Sequence, residues 1–587
     1  MKFPTSNGKN KIVSFFSALF VDLRHFNLLT KIEKVVAKMS ISEKIFFYIV
    51  SFVVVISSLI LLFRLNNTFL VEVPSYGGNF TEGLIGSPRF INPILAISDT
   101  DKDLSSIIYS GLLKNGENGD YELDLAEHFE VSDGTVYNFT IKDNAYFHDG
   151  RRVTADDIIF TINKILDPVI KSPKKSTWEG VLVEKINDKE IRFTLSKPYT
   201  PFLNALTIGI LPKHIWENAS SEEFPFSQFN IDPIGSGPYK IEKITRNSGC
   251  IPTTITLGAW NKYALGRPNI KSINFKFFQN ETALLKAFNN KEVQSMAGLS
   301  QVAAQQIIAD KKLVKETTLP RVFGVFFNQN VAPVFLNKEV REALSIATPK
   351  NRIVDEALSG FGRVINGPTP DSTETDLAKA NGNIEEAKTI LLDAGWKQNE
   401  NGILEKKTKT ETIVLRFSIT TSDTPELKKT AEILKESWGQ IGADVEIKVF
   451  EAGDLSQNVI KSRKYDALLF GEVVGSHSDL YPFWHSSERN DPGLNISLYT
   501  NITVDKMLEE IQKETDLEQK KAKTATILSE IKDDVPAIFL FSPYSLYASA
   551  PNVKNILTKD VAFQNERFLF ISKWYIETDK VWKIFSN

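Results

Sequence analysis

The sequence holds a single cysteine, Cys250, in 587 residues. No intrachain disulfide is possible, so stability must rest on an extensive core, which a chain of this length can build. It also has no excess of positive charge. The formal net charge is -3, whereas a nucleic-acid binder carries a basic footprint, so no nucleic-acid partner is expected. Catalytic motifs are missing as well. The histidines at 25, 128, 148, 214, 477 and 485 form no H-E-x-x-H, and neither a G-x-S-x-G elbow nor a Walker A stretch occurs. We therefore expect no enzyme activity, no catalytic residue, no metal and no cofactor. Repeats with a period of 20–50 residues are absent, which excludes a solenoid. The length is too great for one core and implies two or more domains.

What is present begins with charge asymmetry. Residues 1–44 carry eight Lys or Arg against three Asp or Glu, a net +5, which leaves -8 for the rest. Ile45 to Phe63 then reads IFFYIVSFVVVISSLILLF, 19 residues without a charge. As a helix it spans roughly 28 Å, close to a bilayer's hydrocarbon thickness. Arg64-Leu65-Asn66-Asn67 follows, with no small-residue cleavage pattern and no cysteine for lipidation. The basic flank places the N-terminus in the cytoplasm and the C-terminus outside. The expected order is a cytoplasmic basic segment (1–44), a transmembrane helix (45–63) and a linker (64–73). Within the first segment Phe15, Phe16, Leu19, Phe20, Leu23, Phe26 and Leu29 recur at near-helical spacing, which suits a helix lying on the inner leaflet.

From about Pro74 onward, strand and helix patterns alternate. Val136 to Ile141 has the period of a strand. Asp149-Gly150 marks a turn, and Thr154 with Asp157 forms a capping box ahead of Ile158, Ile159, Ile162, Ile165 and Leu166. Asp167-Pro168 stops that helix. Further helices are expected at Glu385–Ala394, closed by Gly395, and at Ala431–Ile441, closed by Gly442, before a strand through Val445, Ile447 and Val449. This succession indicates α/β lobes. His148 and Asp149 are adjacent and point to opposite faces of a strand, so a turn is favoured over a metal site. Gly235-Ser236-Gly237-Pro238-Tyr239 lacks a third glycine, and Pro238 removes an N–H that a phosphate would need, so it reads as a tight turn before a strand. Tyr465, Phe470, Tyr481, Phe483, Trp484 and Tyr499 cluster in one interval. Core packing accounts for most of them, and the remainder are candidates for a ligand cleft.

Taken in order, these stretches resemble the extracytoplasmic solute-binding proteins of the peptide, dipeptide and nickel class (family 5). Ile91-Asn92-Pro93 and Tyr109-Ser110-Gly111-Leu112 match early motifs. Leu125 to Pro168 is similar to the family signature almost throughout. "IGSGPY" (234–239), Asn328 with "VREAL" (340–344), "AKTILLDAGW" (387–396) and "YDALLF" (465–470) follow in the family's order. The resemblance implies a two-lobed periplasmic-binding-protein-like α/β fold of type II, in the large peptide-binding cluster, preceded here by one transmembrane helix. It implies a first lobe over 74–292, a second over 293–536 and a return to the first over 537–587, with crossings near Val293 and Pro536. It further implies an extracytoplasmic component of an ABC importer that works as a monomer with separate permease and ATPase subunits and captures peptides. Within the family, nickel chelates, haem or oligosaccharides are alternative ligands, and a ligand-sensing ectodomain is an alternative role. The candidate ligand-binding residues are Tyr109, Asn328, Glu472, Val473, Val474, His477, Asp479, Trp484 and Asn495. One departure matters. Many peptide binders carry a Trp and then an Asp after the "YD" strand, and the Asp holds the peptide's α-amine. Here the Trp is absent, and Glu472 and Asp479 are the two candidates for that acid.

Overall fold

In the computed structural model the described residues are all except 1–33, 117–119, 200–201, 310–313, 374–376, 410, 475–478, 515, 550, 557–563 and 586–587. The apolar spacing from Phe15 to Leu29 lies outside them. The chain divides into two units, Met1–Val73 with Thr578–Asn587, and Pro74–Glu577.

The longest helix among the described residues of the first unit is Ile41–Phe69, none of whose residues is buried. Ser40 caps it, and its N–H and hydroxyl both donate to the Glu43 carboxylate at 2.8 and 2.9 Å. The helix is long and apolar enough to cross a membrane. It outruns the expected 45–63 at both ends, and residues 64–73 are not a linker. No Gly or Pro interrupts Arg64–Phe69, so the helix continues through those polar residues, and the Thr68 hydroxyl donates back to the Arg64 carbonyl at 2.8 Å. The strand Leu70–Ser75 follows directly and pairs with Glu577–Trp582. Trp582 Nε1 donates to Asn66 Oδ1 at 2.9 Å.

The second unit is organised by a long mixed sheet. In its first half, Gly77–Ile85 runs parallel to Ile270–Phe278, which continues into the antiparallel strands Pro252–Ala259 and Tyr239–Arg246. In its second half, Arg321–Phe327 pairs antiparallel with Ala467–Val473, followed by the parallel strands Arg416–Ser422 and Asp444–Phe450. The 13-residue strand Ala537–Ser549 joins the halves. Its beginning pairs with Arg321–Phe327 (Phe326 opposite Ala537), and its end pairs with Val314–Thr318 and Ser295–Ala297 (Met296 opposite Ala548). Each half has its own core. One cluster fills the first lobe, and two clusters cover the opposite faces of the second lobe's sheet.

This pairing moves both crossings later than Val293 and Pro536. Ile538, Leu540 and Phe541 are buried in the second lobe's core. The return strand therefore still belongs to that lobe until Pro543, and the outward passage lies at Leu319-Pro320. The two passages are tied to each other, since Leu319 N–H donates to the Pro543 carbonyl at 3.1 Å and the Ser542 hydroxyl donates to the Leu319 carbonyl at 2.7 Å.

Locally the elements follow their side chains. Val136–Ile141 alternates between half-buried and buried positions, with Tyr137, Phe139 and Ile141 inward. The helix Ala155–Leu166 begins where Thr154 N–H and Oγ1 both donate to Asp157, at 2.9 and 2.8 Å. The helix expected from Ala431 starts earlier, at Pro425, and ends at Gln440. Proline suits the first helical position, and of the residues before Ala431 only Leu427 and Thr430 face inward, which hides the apolar period.

Under the first lobe lies a buried charge network. Arg567 forks onto Asp103 (NH1 to Oδ1 2.9 Å, NH2 to Oδ2 2.7 Å) and also reaches Glu82 at 3.1 Å. Glu82 accepts from the Tyr547 hydroxyl at 2.9 Å and from Ser295. Glu82 and Asp103 are fully buried and Arg567 is 4% exposed. Desolvation works against the guanidinium charge, and the Asp103 and Glu82 carboxylates outweigh it. Arg567→Leu would strand two carboxylates and should destabilise the fold by about 3–5 kcal/mol. Urea denaturation measures this, and adding Glu82→Gln and Asp103→Asn to the same chain should recover part of the loss.

Candidate functional site

A cavity of about 320 Å³ opens in the wall of the first lobe. The helix Asp99–Ile108 supplies one side. Ser98 caps it through Asp101 N–H at 3.1 Å, and Lys102, Ser105, Ser106 and Tyr109 recur at helical spacing along the cavity. Lys174, Thr177 and Trp178 also line it, together with Asp124, Tyr263 and Glu566.

Two motifs singled out in the sequence meet behind this helix. Gly237 N–H donates to the Ile108 carbonyl at 2.8 Å, and a Cβ on Gly235 or Gly237 would collide with the Ile107–Ile108 backbone. Only glycine allows that approach, and the strand Tyr239–Arg246 follows as expected. His148 locks the turn. Its backbone N–H donates to the Gly235 carbonyl at 2.8 Å, Nδ1 accepts from Gly235 N–H at 3.3 Å, and Nε2 donates to the Gly237 carbonyl at 3.1 Å. Those partners require the neutral ring, and burial pushes its pKa down to about 4. Asp149 instead pairs with His214 at 2.6 Å. Among the described residues no group of three His, Cys, Asp or Glu could hold a metal ion.

Inside the cavity, Tyr109 is 4% exposed and its hydroxyl has no partner among the described residues. Burial pushes that phenol far above its usual range. Burial also pushes Asp124 up to about 6, against the Ser110 hydroxyl and the Lys114 and Lys142 charges. The Tyr263 hydroxyl donates to Asp124 Oδ1 at 3.4 Å, and the Lys142 ammonium donates to the Leu123 carbonyl at 3.3 Å.

The second lobe contributes Asp479. Tyr481 N–H and the Gln512 side-chain amide both donate to its Oδ1, at 3.1 and 2.9 Å. Burial pushes Asp479 up, and those two bonds oppose the shift. Its charge reaches Tyr199 of the first lobe, whose phenol is raised by burial first and by Asp479 second. Tyr121 is raised by burial, by Tyr199 and by Glu566. An acidic, tyrosine-rich set thus spans both lobes.

The other candidates divide. Glu472 lies opposite Val322 in the sheet and shares a face with Leu468 and Phe470, which pack in the second-lobe core. Burial pushes its carboxyl well above the usual range, and Arg463 only partly offsets this. Val473 is exposed, and Val474 is buried with its N–H on the Pro320 carbonyl at 3.0 Å. His477 lies outside the described residues. Asn328, Trp484 and Asn495 are buried in the second lobe. The Asn328 amide donates to the Arg463 carbonyl at 2.9 Å, and its Oδ1 accepts from Asn330 and Val331 N–H. Asn495 bridges the His485 and Tyr499 carbonyls, and Trp484 packs edge-on to Tyr499 and Phe539. Sequence reasoning missed Lys102, Lys174, Asp124, Tyr199 and Glu566. The spacing of Lys102, Ser105, Ser106 and Tyr109 was the one available signal.

Asp124 gives a pH test. Its folded pKa lies above the unfolded value, so the fold binds more protons between about pH 4 and 6 and loses stability as pH rises through that window. Asp124→Asn keeps an acceptor for Tyr263 and removes that slope. The variant should gain on the order of 3 kcal/mol at most relative to the native chain at pH 7, and nothing at pH 4. Urea melts at both pH values measure the difference.

Comparison with known proteins places this geometry. The profile of the bacterial extracellular solute-binding proteins, family 5 Middle, matches residues 120–491. The oligopeptide-binding protein AppA of Bacillus subtilis is 29% identical over 518 residues, covering 86% of this chain and 92% of that protein. Its structure in complex with a nonapeptide superposes with a TM-score of 0.62 at 28% identity, over 86% of this chain and 100% of that one. The probable D,D-dipeptide-binding periplasmic protein DdpA of Escherichia coli is 25% identical, covering 81% and 90%. NikZ from Campylobacter jejuni, solved in complex with Ni(L-His), shares the fold at 24% identity and a TM-score of 0.63, over 85% and 99%. The two lobes, the paired crossings and the profile match agree, and the chain belongs to the bacterial extracellular solute-binding proteins of family 5, the binding components of ABC importers.

Proposed function

We propose that this chain captures oligopeptides between its lobes and delivers them to a separate permease driven by an ATPase, acting as a monomeric binding protein without catalysis of its own. The observation that carries this reading is Asp479. Both of its donors fall on Oδ1, and Oδ2 has no partner among the described residues. An extended peptide presents one α-amine, and burying that charge requires an ionised acid. Asp479 is better placed for this than Glu472, whose carboxyl burial drives toward the neutral form. The nonapeptide bound to the Bacillus subtilis relative supports a ligand of this class. Ligand bridging two lobes on two crossings favours a closed arrangement.

Calorimetry with a free-amine peptide and its N-acetylated form tests the reading. Asp479→Asn should cost about 2–5 kcal/mol for the free amine and little for the acetylated peptide. Glu472→Gln should change neither. Equal binding of both forms by the native chain sinks the amine anchor.

We further propose that the helix Ile41–Phe69 stays attached and holds the binding unit on the extracytoplasmic side of the cell membrane, with the basic N-terminal residues inside. The uncharged run Ile45–Phe63 and the absence of a cleavage pattern support this. N-terminal sequencing of the protein from the membrane fraction should return residues before Ile45. A start near Leu65 or later would mean a removed leader.

A further inference from the structure

The first-lobe cavity carries two ammonium groups that amine capture leaves unused. Lys102 extends from the helix Asp99–Ile108, and Lys174 stands just before the short helix Lys175–Trp178. Both line the cavity, and neither ammonium has a hydrogen-bond or ion-pair partner among the described residues. The other charges on the lining are engaged. Lys114 bridges Glu122 at 3.0 Å, Asp124 is met by Tyr263, and Glu566 accepts from the Asn115 amide at 3.1 Å.

Two unpaired like charges on one concave wall repel each other, and a counter-ion relieves that repulsion. The repulsion is visible at Lys174, whose ammonium is pushed down by desolvation first and by Lys102 second. Lys174 is nonetheless open to solvent. The two facts agree for a group on a cleft wall, which water touches while surrounding protein removes much of its bulk hydration. A third donor lies on the same helix side. The Tyr109 hydroxyl follows Lys102 by seven residues, is buried, lines the cavity and has no partner. Donors of this set match an oxyanion through charge-assisted hydrogen bonds.

We propose that Lys102 and Lys174, with the Tyr109 hydroxyl, form a carboxylate-binding subsite in the first lobe, so that the transported ligands are peptides bearing an acidic side chain or a free C-terminal carboxylate placed there. The inference rests on the peptide reading for the identity of the ligand, but not for the anion site itself. Asp479 and the two lysines then give the cleft one acidic and one basic station, on different lobes.

The full-length protein in detergent is titrated by calorimetry with tetra-alanine, its C-terminal amide, and the amides of Ala-Ala-Glu-Ala and Ala-Ala-Gln-Ala. The native chain should bind at least one carboxylate-bearing peptide about tenfold or more tighter than its neutral counterpart. The tetra-alanine pair reads the terminal carboxylate, and the Glu/Gln pair reads the side chain. Lys102→Met and Lys174→Met should each bring the ratio of carboxylate-bearing to neutral peptide affinity close to one, and Lys174→Arg should retain the preference. No preference in the native chain, or a preference that survives both Met variants, overturns the proposal. In parallel, lysines are reductively methylated with carbon-13 and glutarate is added. The Lys174 signal should titrate at higher pH with glutarate present, and an unmoved signal overturns the anion site. A glutarate shift without binding of any peptide leaves the anion site standing and removes the peptide reading.

Discussion

The arrangement of the first lobe depends on one buried guanidinium. Arg567 enters from near the C-terminus and is held by Asp103 on the helix that faces the cavity and by Glu82 on the sheet's first parallel strand. Through Tyr547 and Ser295, Glu82 is bound in turn to the strand that crosses between lobes and to its neighbour. Two acids face one base with almost no solvent, so the hydroxyls of Tyr547 and Ser295 supply the donors that a lone Arg–Glu pair would lack. Such a network adds little net stability over apolar packing. It does fix orientation. Lys102 and Tyr109 lie on the helix that Asp103 anchors, so the register of the cavity wall, the crossing strand and the C-terminal segment is set by the same charges.

The second constraint is how narrowly the lobes are joined. The chain passes between the lobes at Leu319-Pro320 and Pro543, where the bonds of Leu319 to Pro543 and Ser542 tie the passages together and Tyr544 N–H donates to the Phe361 carbonyl at 3.2 Å. Prolines at both points contribute no N–H to a ladder, so the sheet is weakest there. A small cluster, in which Phe361 of the second lobe packs with Leu284, Met296, Ala304, Leu546 and Ala548, lies beside the crossing. Bending at such a place costs few contacts and leaves both cores intact, which is the condition for hinge closure on a ligand.

Much of the fold was legible in the sequence because it depends on local rules. The alternation at Val136–Ile141, the Thr154–Asp157 box and the glycine turn at 235–237 each appeared where local chemistry placed them. Failures followed from weak local signals. Residues 64–73 read as a linker because their polarity hid a continuing helix and a strand that needs a partner more than 500 residues away. The crossings were placed early because a return strand buried in the second lobe looks the same in sequence as one buried in the first. At the site the resemblance pointed to single residues, and their surroundings became visible only in the fold. Asn328 and Asn495 are polar residues whose side-chain bonds close turns inside the second lobe. Lys102 and Lys174 read as ordinary surface lysines, because nothing in sequence tells a cleft wall from an outer surface.

An unpaired polar atom does not mark a site by itself. The indole N–H groups of Trp484 and Trp574 are also buried without partners among the described residues, yet neither lines the cavity. They sit in packed cores where the ring's apolar area outweighs one lost bond, a loss of about 1–3 kcal/mol. Tyr109 differs because its orphan donor coincides with two unpaired ammonium groups and an open volume. In a core, such a coincidence of like-signed donors would be strain with nothing to relieve it. Along a cleft wall, an incoming acceptor relieves that cost, and the difference is a source of binding energy. Rigid scaffolding is what preserves it. If the helix could rotate, Lys102 and Tyr109 would find water or backbone acceptors and the difference would vanish. The Arg567 network prevents that rotation, so the buried charge and the open cleft are parts of one arrangement.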